Sequence, residues 1–194
     1  MEHDMNRANN TPLTNGSLFT GTAALDKAVE SVFGARTVWF CDNDPAAIRL
    51  LSVRHPGVPN HGDITKVDWT KVEPVDIISG GSPCQDLSVA GSRAGMQPGT
   101  RSNLWESMRE AIAILKPKYV VWENVYGAFS AKAASEMDAA TGLLGDEPPL
   151  RAFGRLLGDL ADLRYDARWQ GVRVSDLGGG MERPRVFVLA TLQG

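Results

Sequence analysis

The 194-residue sequence contains little of what several classes of protein require. Its two cysteines, Cys41 and Cys84, are too few for a disulfide framework or a four-thiolate zinc site, and such scarcity is typical of a reducing compartment. No apolar run approaches the roughly 18 residues of a membrane-spanning helix, and residues 1–7 lack the apolar stretch of a signal peptide. Charge is nearly balanced, since 20 Lys and Arg face 23 Asp and Glu, which argues against binding to nucleic acid through bulk positive charge.

What is present is the composition of one globular domain. Hydrophobic residues make up 43% of the chain, enough to bury a core. Residues 1–12 are polar and rich in asparagine, so we expect a flexible arm there and a single domain over residues 13–194. We expect a cytoplasmic protein with no membrane contact and no metal site.

Strand patterns and helix patterns alternate along the chain. The predicted strands are residues 13–19, 37–41, 75–78, 119–122, 165–174 and 186–190; the predicted helices are 23–33, 103–115, one that begins at Pro45 after the capping residue Asp44, and one that begins at Pro148. The segment between the last two strands is too short for a crossover helix, so these strands should pair antiparallel. The pattern predicts an α/β fold with a doubly wound, mostly parallel Rossmann-like sheet and an antiparallel C-terminal edge.

Side chains capable of chemistry follow the predicted strands. Gly21, Asp42, Asp63, Cys84 and Glu123 each follow a predicted strand, at intervals of about twenty to forty residues. Because ligands of such sheets bind beyond the carboxyl ends of the strands, we expect these residues to share one edge.

The turn at residues 19–24 favours a nucleoside ligand without phosphates. Dinucleotide-binding turns need several glycines, whereas Gly21 is the one glycine here. Asp42, about twenty residues further on, stands where an acidic side chain reaches ribose hydroxyls. A tight contact between helix and strand, with Asp42 as a turn former, remains open as an alternative.

Cys84 follows a proline in a glycine-rich turn, which favours a thiol presented to a cleft. A lone cysteine is more often a small buried hydrophobe, but polar residues and glycines flank this one. The three histidines, at positions 3, 55 and 61, are distant in sequence and give little support to a Cys–His protease pair.

These residues belong to a set that resembles the DNA cytosine-5 methyltransferase family. Residues 81–85, Gly-Ser-Pro-Cys-Gln, are followed by Ser88-Val-Ala-Gly and by Glu123-Asn-Val. Further matches occur in the family's order at residues 17–21, 62–64, 100–105, 116–118 and 183–187, so that the resemblance covers residues 13–190. It implies the class I fold of enzymes that use S-adenosyl-L-methionine as methyl donor.

The resemblance also implies roles for individual residues in cofactor binding. Phe19, Gly21 and Thr22 would line the methionine side, with Pro83 near it, and Asp42 would bind the ribose. Asn43 and Ile64 would flank adenine, Asp63 would accept from its amino group, and Leu104 would contribute backbone contacts. Ala23 and Ala24 replace glycines common in the family's first motif.

For catalysis, the resemblance implies that Cys84 adds to C6 of a cytosine rotated out of double-stranded DNA. Glu123 would hydrogen-bond or protonate N3, and Arg185, with Arg183 in the same motif, would hold O2. Gln85, Ser88, Arg93 and Asn124 would contact the substrate, with residues 85–99 as a clamp. The motifs alone do not separate DNA from RNA, and cytosine in RNA is the less favoured alternative substrate.

The sequence departs from the family in two places. Gly180-Met181 stand where a glutamine and a proline usually precede the arginines, and no target-recognition domain is identified after residue 190. Three interpretations remain open. The chain is a compact methyltransferase of low sequence specificity from a bacterium, virus or mobile element, as in restriction-modification; or it is the catalytic half of a split enzyme whose partner subunit supplies recognition; or it is a non-catalytic relative that binds cofactor or DNA.

Overall fold

A computed structural model describes residues 11–82, 104–126 and 152–194, which form a sheet with helices on both faces. The strands are β1 Thr14–Leu18, β2 Arg36–Cys41, β3 Ile77–Gly80, β4 Tyr119–Val125, β5 Tyr165–Val172 and β6 Arg185–Leu192. The helices are α1 Ala24–Phe33, α2 Pro45–Arg54, α3 Leu104–Leu115 and α4 Ala152–Asp162; short 3-10 turns cover Ile64–Lys66, Trp69–Lys71 and Val174–Leu177. No helix in these three ranges is long and apolar enough to cross a membrane.

The sheet has the strand order β2-β1-β3-β4-β6-β5. The first four strands in this order pair in parallel, and β6 pairs antiparallel with both β4 and β5. The prediction of a mostly parallel, doubly wound sheet with an antiparallel C-terminal pair at one edge is confirmed. The last strand, β6, lies inside the sheet, and β5 forms the edge. Val186, Val188 and Ala190 on one face of β6 are buried.

The ends of the helices follow local chemistry. Helix α2 begins where predicted, because Pro45 occupies its first position and the Asp44 side chain accepts from the amides of Ala46 and Ala47 at 2.8 and 2.9 Å. Helix α1 ends at Gly34, whose φ of 62° is left-handed. The predicted start of α3 at residue 103 and of α4 at residue 148 lie outside the described residues.

The main core lies on the face of the sheet that α3 and α4 cover. Trp122 of β4 packs against Trp105 of α3 and Phe153 of α4, with ring centroids 6.5 and 6.3 Å apart. Tyr119 faces the opposite side of β4, since side chains alternate along a strand, and it contacts Phe33 of α1 at 5.3 Å. The sheet is therefore held between α1 on one face and the aromatic core on the other.

A buried carboxylate joins α3 to α4. Asp159 is 3% exposed and accepts from Trp105 Nε1 and from Arg155 Nε, both at 2.8 Å. Arg109 Nε lies 3.6 Å from the same Asp159 oxygen that Arg155 binds, a distance typical of an ion pair without a hydrogen bond. Two helices are thus fastened at a single acidic side chain.

Candidate active site

The carboxyl ends of the parallel strands open onto two adjoining cavities. The larger has a volume of about 630 Å³ and the smaller about 360 Å³. Phe19 and Gly81 line both, so the two cavities meet at the ends of β1 and β3. This is the edge at which the sequence places its chemistry-bearing residues.

The larger cavity brings together most of the residues for which the resemblance implies cofactor binding. They come from the ends of β1 and β2, the segment before the first 3-10 turn and the start of α3: Phe19, Asp42, Asn43, Asp63, Ile64 and Leu104. Thr22 instead lines the smaller cavity. The Gly21 amide donates a hydrogen bond to the Asp42 carboxylate. Pro83, Cys84, Gln85, Ser88 and Arg93 lie outside the described residues.

Backbone amides and Asn60 hold Asp42 in place. One carboxylate oxygen of Asp42 accepts from the Gly21 amide at 2.7 Å and the other from the Asp44 amide at 2.9 Å. Asn60 accepts from the Asp42 amide at 3.0 Å and donates to the Asp42 carbonyl at 3.1 Å. A carboxylate has about four acceptor positions, so both oxygens keep capacity for ligand hydroxyls. Sequence reasoning missed Asn60, which no motif marks.

The turn after β1 contains three residues with left-handed backbone. Phe19 has a φ of 54°, Gly21 of 54° and Ala23 of 61°. This conformation costs a non-glycine residue roughly 1–2 kcal/mol, and such strain concentrates at binding sites and switches. The Phe19 amide donates to the Cys41 carbonyl at 2.9 Å, which fixes the turn against β2. Ala23 therefore adopts a left-handed backbone conformation that glycine would adopt with less strain.

Asp63 is an exposed acceptor at the rim of the larger cavity. Its Oδ1 accepts from the Thr65 amide at 3.1 Å and the Thr65 hydroxyl at 2.8 Å, and Lys66 lies 3.4 Å from Oδ2. The hydrogen bonds from Thr65, aided by Lys66, lower the pKa of Asp63. Asp63 therefore stays a hydrogen-bond acceptor at neutral pH.

The Cys41 thiol lines the larger cavity but is chemically quiet. Burial, aided by the negative charges of Asp42 and Asp63, raises the pKa of Cys41 to about 12. Its Sγ donates to the Gly62 carbonyl at 3.3 Å. Because the thiolate is the nucleophilic form, Cys41 is not an attacking group.

An acid–arginine pair lies beside the smaller cavity. Glu123 of β4 and Arg185 of β6 stand on neighbouring antiparallel strands, and Arg185 Nε lies 2.8 Å from Glu123 Oε1. Arg185 also donates from Nη1 to the Pro184 carbonyl at 2.9 Å. Glu123, Arg183 and Phe187 line the cavity beside residues of β1 and α1. The structure thus joins Glu123 and Arg185, which are 62 positions apart in the sequence.

Asn124, for which the resemblance implies a contact to the substrate, lies beside the segment that leads to Cys84. It is 3% exposed, donates from Nδ2 to the Ser82 carbonyl at 3.2 Å and accepts from the Val125 amide at 2.7 Å. Side chains alternate along β4, so Asn124 points away from the face on which Glu123 stands. In this structure its amide holds the segment that leads to Cys84.

Gly81 provides the close approach between β3 and β4 that the site requires. A Cβ at Gly81 would lie 2.8 Å from the Glu123 carbonyl oxygen and 3.1 Å from its carboxylate Oε2. We therefore expect Gly81→Ala to displace Glu123 and to lower the free energy of unfolding by about 1–3 kcal/mol, the usual cost of overpacking. Urea denaturation would measure this change.

Gly158→Ala is the matched control, since a Cβ at Gly158 in α4 meets nothing within 4 Å. It should be neutral or stabilising by up to about 1 kcal/mol, because alanine favours a helix. Equal unfolding midpoints for the two variants would contradict the close approach at Gly81.

Comparisons with known proteins agree with this arrangement. A family model described as C-5 cytosine-specific DNA methylase matches residues 13–194. The type II methyltransferase M.NlaIV of Neisseria lactamica is 27% identical over 185 residues, 91% of this chain and 40% of that protein. A protein of Escherichia phage P1, named DNA N-6-adenine-methyltransferase, is 33% identical over 168 residues, 80% of this chain and 22% of that protein.

A solved structure of similar fold is the Entamoeba histolytica methyltransferase EhMeth, with a TM-score of 0.70 and 17% identity over 95% of this chain and 54% of that one. The chain spans about two fifths of the Neisseria relative and about a fifth of the phage one. The family model, in contrast, matches the range 13–194, which contains both Glu123 and Arg185. The chain therefore belongs to the C-5 cytosine-specific DNA methylase family.

Proposed function

We propose that the chain catalyses methyl transfer from S-adenosyl-L-methionine to C5 of cytosine in DNA, through a covalent adduct between Cys84 and a base rotated out of the duplex. The observation that carries the proposal is the Glu123–Arg185 pair, 2.8 Å apart, beside a cavity that adjoins a second, acid-lined cavity. Membership of the family supplies the class of reaction.

The larger cavity suits the proposed cofactor in size and charge. Its volume of about 630 Å³ lies within the range of small-molecule sites. Asp42, Asp44 and Asp63 line it, so a phosphorylated ligand would be repelled, whereas a cationic sulfonium nucleoside would be attracted. Asp42 would accept from ribose hydroxyls and Asp63 from an adenine amino group. When bound, the cofactor supplies an electrophilic methyl group.

The smaller cavity supports the roles proposed for Glu123 and Arg185. Cys84 would add to C6 of cytosine, and the π electrons of the ring would shift toward C4 and N3, which makes C5 nucleophilic. After C5 takes the methyl group, loss of the C5 proton and elimination of the Cys84 thiolate would release 5-methylcytosine. Glu123 would donate a hydrogen bond or a proton at N3, while Arg185 would bind O2, where negative charge develops. The ion pair between these side chains fixes both before the base arrives, which avoids the cost of arranging them during the reaction.

Asn124 would position the nucleophile indirectly. Asn124 donates a hydrogen bond to the carbonyl of Ser82, which is two residues before Cys84 in the chain. We therefore assign Asn124 to the support of the 80–82 segment. Gln85, Ser88 and Arg93 keep their proposed role as contacts to the DNA.

Target recognition needs more polypeptide in this proposal. Sequence is read through contacts to base edges, and the chain spans about two fifths of the Neisseria relative. A further segment or a separate subunit would supply those contacts. The cytoplasm of a bacterium or of a virus-infected bacterium would be the setting, since the relatives named above come from a bacterium and a phage.

Trapping on 5-fluorocytosine DNA tests the proposal. Fluorine at C5 cannot leave as a proton does, so the enzyme should remain bonded to the base after methyl transfer. The purified chain, given cofactor labelled in the methyl group, should form a labelled complex with the DNA that survives denaturation. Cys84→Ala should form none.

Cys41→Ala is the matched control and should trap as well as the parent chain, because the Cys41 thiol is buried and protonated. A labelled covalent complex with Cys84→Ala would refute the proposed nucleophile. If the parent chain binds cofactor in a calorimetric titration but traps only after a recognition subunit is added, the split interpretation holds. Cofactor binding without trapping in either case would favour the non-catalytic interpretation.

A further inference from the structure

A buried polar cluster lies between helix α1 and the strands that lead into the site. It consists of Asn15 and Ser17 of β1, Asp26 of α1, Thr37 of β2 and Ser79 of β3, with Thr20 in the turn after β1. Every member is at most 9% exposed, and Asp26 is 2% exposed. The mechanism proposed above uses none of these side chains. Sequence reasoning also missed Asp26, although its position on the face that carries Val29 and Phe33 of α1 indicates burial.

Asp26 is the centre of the cluster, and its known partners are uncharged. Its Oδ1 accepts from Ser79 Oγ at 2.7 Å and from Asn15 Nδ2 at 3.2 Å. In the part of the chain that the structure describes, no ion pair involves Asp26. A buried carboxylate without a cation is costly, so the surroundings favour the neutral acid. Burial accordingly raises the pKa of Asp26, and the charge of Glu30 adds to this effect, whereas the nearby polar side chains of Ser17, Ser79 and Asn15 oppose it.

Two oxygens in the cluster need a hydrogen atom that an ionised Asp26 cannot supply. Asp26 Oδ2 and Asn15 Oδ1 are both buried acceptors without a hydrogen-bond partner. They belong to the carboxyl and amide groups that already meet through Asn15 Nδ2 and Asp26 Oδ1. One proton on Asp26 Oδ2 satisfies both, because an acid and an amide can form a closed pair of hydrogen bonds.

The cluster is connected to the strained turn. Ser17 and Thr20 share a hydrogen bond at 2.9 Å between their hydroxyls, and Thr20 Oγ1 also donates to the Ser17 carbonyl at 3.3 Å. Asp26 fastens the first turn of α1 to β1 and β3. The turn from Phe19 to Ala23 is therefore flanked by Ser17 on the strand side and, on the helix side, by the first turn of α1, which Asp26 fastens.

We propose that Asp26 is a positioning residue that acts in its neutral form, donating from Oδ2 to Asn15 Oδ1, so that the turn at residues 19–23 keeps its shape for the cofactor. The cofactor part of this inference rests on the proposed function. The charged groups around Asp26 are Glu30 and Lys27 of α1, with Glu123 and Arg183 in the wall of the smaller cavity that Asp26 also lines. Strands β1 and β3, which pack against Asp26, contain no ionisable side chain.

The matched variants are Asp26→Asn, which copies the neutral acid with one donor and one acceptor, and Asp26→Leu, which keeps a similar volume without either. Calorimetric titration with S-adenosyl-L-methionine should give a Kd for Asp26→Asn within about twofold of the parent chain. Asp26→Leu should bind up to about tenfold more weakly, the equivalent of one lost hydrogen bond. If Asp26→Asn loses as much affinity as Asp26→Leu while both stay folded, the neutral form is refuted.

Two measurements without cofactor separate this inference from the proposed function. The infrared difference spectrum between the parent chain and Asp26→Asn at neutral pH should contain the C=O band of a protonated carboxyl group, and a carboxylate band in its place would refute the proposal. The stability of the parent chain relative to Asp26→Asn should also depend on pH. Because the folded-state pKa is raised, the proton stabilises the fold fully below the ordinary aspartate value of 3.8, and this contribution is lost as pH rises toward the folded-state value.

The pH series should therefore show the parent chain losing stability relative to Asp26→Asn as pH increases from 4. A relative gain, or a constant difference, would contradict a raised pKa and the proposal with it. Should Asp26→Leu fail to fold, the Asp26→Asn comparison alone decides. If neither the parent chain nor any variant binds cofactor, the proposed function fails. The spectrum and the pH series still test the protonation of Asp26 in that case.

Discussion

Replacing Glu123 by glutamine should lower the rate of methyl transfer by about 100- to 10,000-fold, the usual contribution of a positioned acid or base. Glutamine keeps the size of the side chain and an oxygen that can accept from Arg185, which lies 2.8 Å from the carboxylate. It cannot deliver a proton to N3 of the base. The expected result is therefore a loss in chemistry with little change in structure.

Single-turnover methylation of cytosine-containing DNA would measure this loss, with cofactor affinity measured in parallel. The Kd for cofactor should stay within about threefold, since the acids of the larger cavity are untouched. Glu110→Gln is the control, because it removes the same charge from an exposed position on α3. Unchanged turnover in Glu123→Gln would show that the acid has no part in the reaction.

Removing the carboxylate that joins α3 to α4 should have the largest effect on stability. In Asp159→Ala, the Trp105 indole loses its acceptor, and Arg109 and Arg155 lose a buried counter-charge. The expected loss is about 3 kcal/mol, because Trp105 Nε1 stays buried without an acceptor, whereas Arg109 and Arg155 are partly exposed and remain near Glu106. Asp159→Asn retains an acceptor and should lose less.

Urea denaturation followed by tryptophan fluorescence would measure these changes as shifts of the midpoint at constant slope. Asp162→Ala is the matched control, since Asp162 is exposed at the end of the same helix. It should change the free energy of unfolding by less than about 0.5 kcal/mol, as exposed positions usually do. A similar midpoint for Asp159→Ala and Asp162→Ala would show that the buried ion pairs contribute no stability.

The parts of the fold that the sequence predicted correctly depend on local signals and on strand direction. Asp44 and Pro45 mark the start of α2 because capping depends on adjacent residues. The gathering of Asp42 and Glu123 at one edge follows from parallel strands, which align their carboxyl ends. Both kinds of inference need no knowledge of distant contacts.

Other features depend on contacts between residues far apart in the chain and could not be predicted. The insertion of β6 between β4 and β5 is fixed by its pairing with both strands and by the burial of one of its faces. The position of Asn124 follows from the Ser82 carbonyl, which β3 delivers beside β4. The left-handed conformation of Phe19 is imposed by its hydrogen bond to β2, against its intrinsic preference.

The interior place of β6 has a consequence for biosynthesis. Arg185 is the first residue of that strand, and its pairing with Val125 puts it next to Glu123. A growing polypeptide can close this gap in the sheet only after β6 has emerged from the ribosome, so the acid–arginine pair forms only once all six strands have been synthesised. Chains made only as far as β5 would thus have an open slot between β4 and β5, and would lack the Glu123–Arg185 contact.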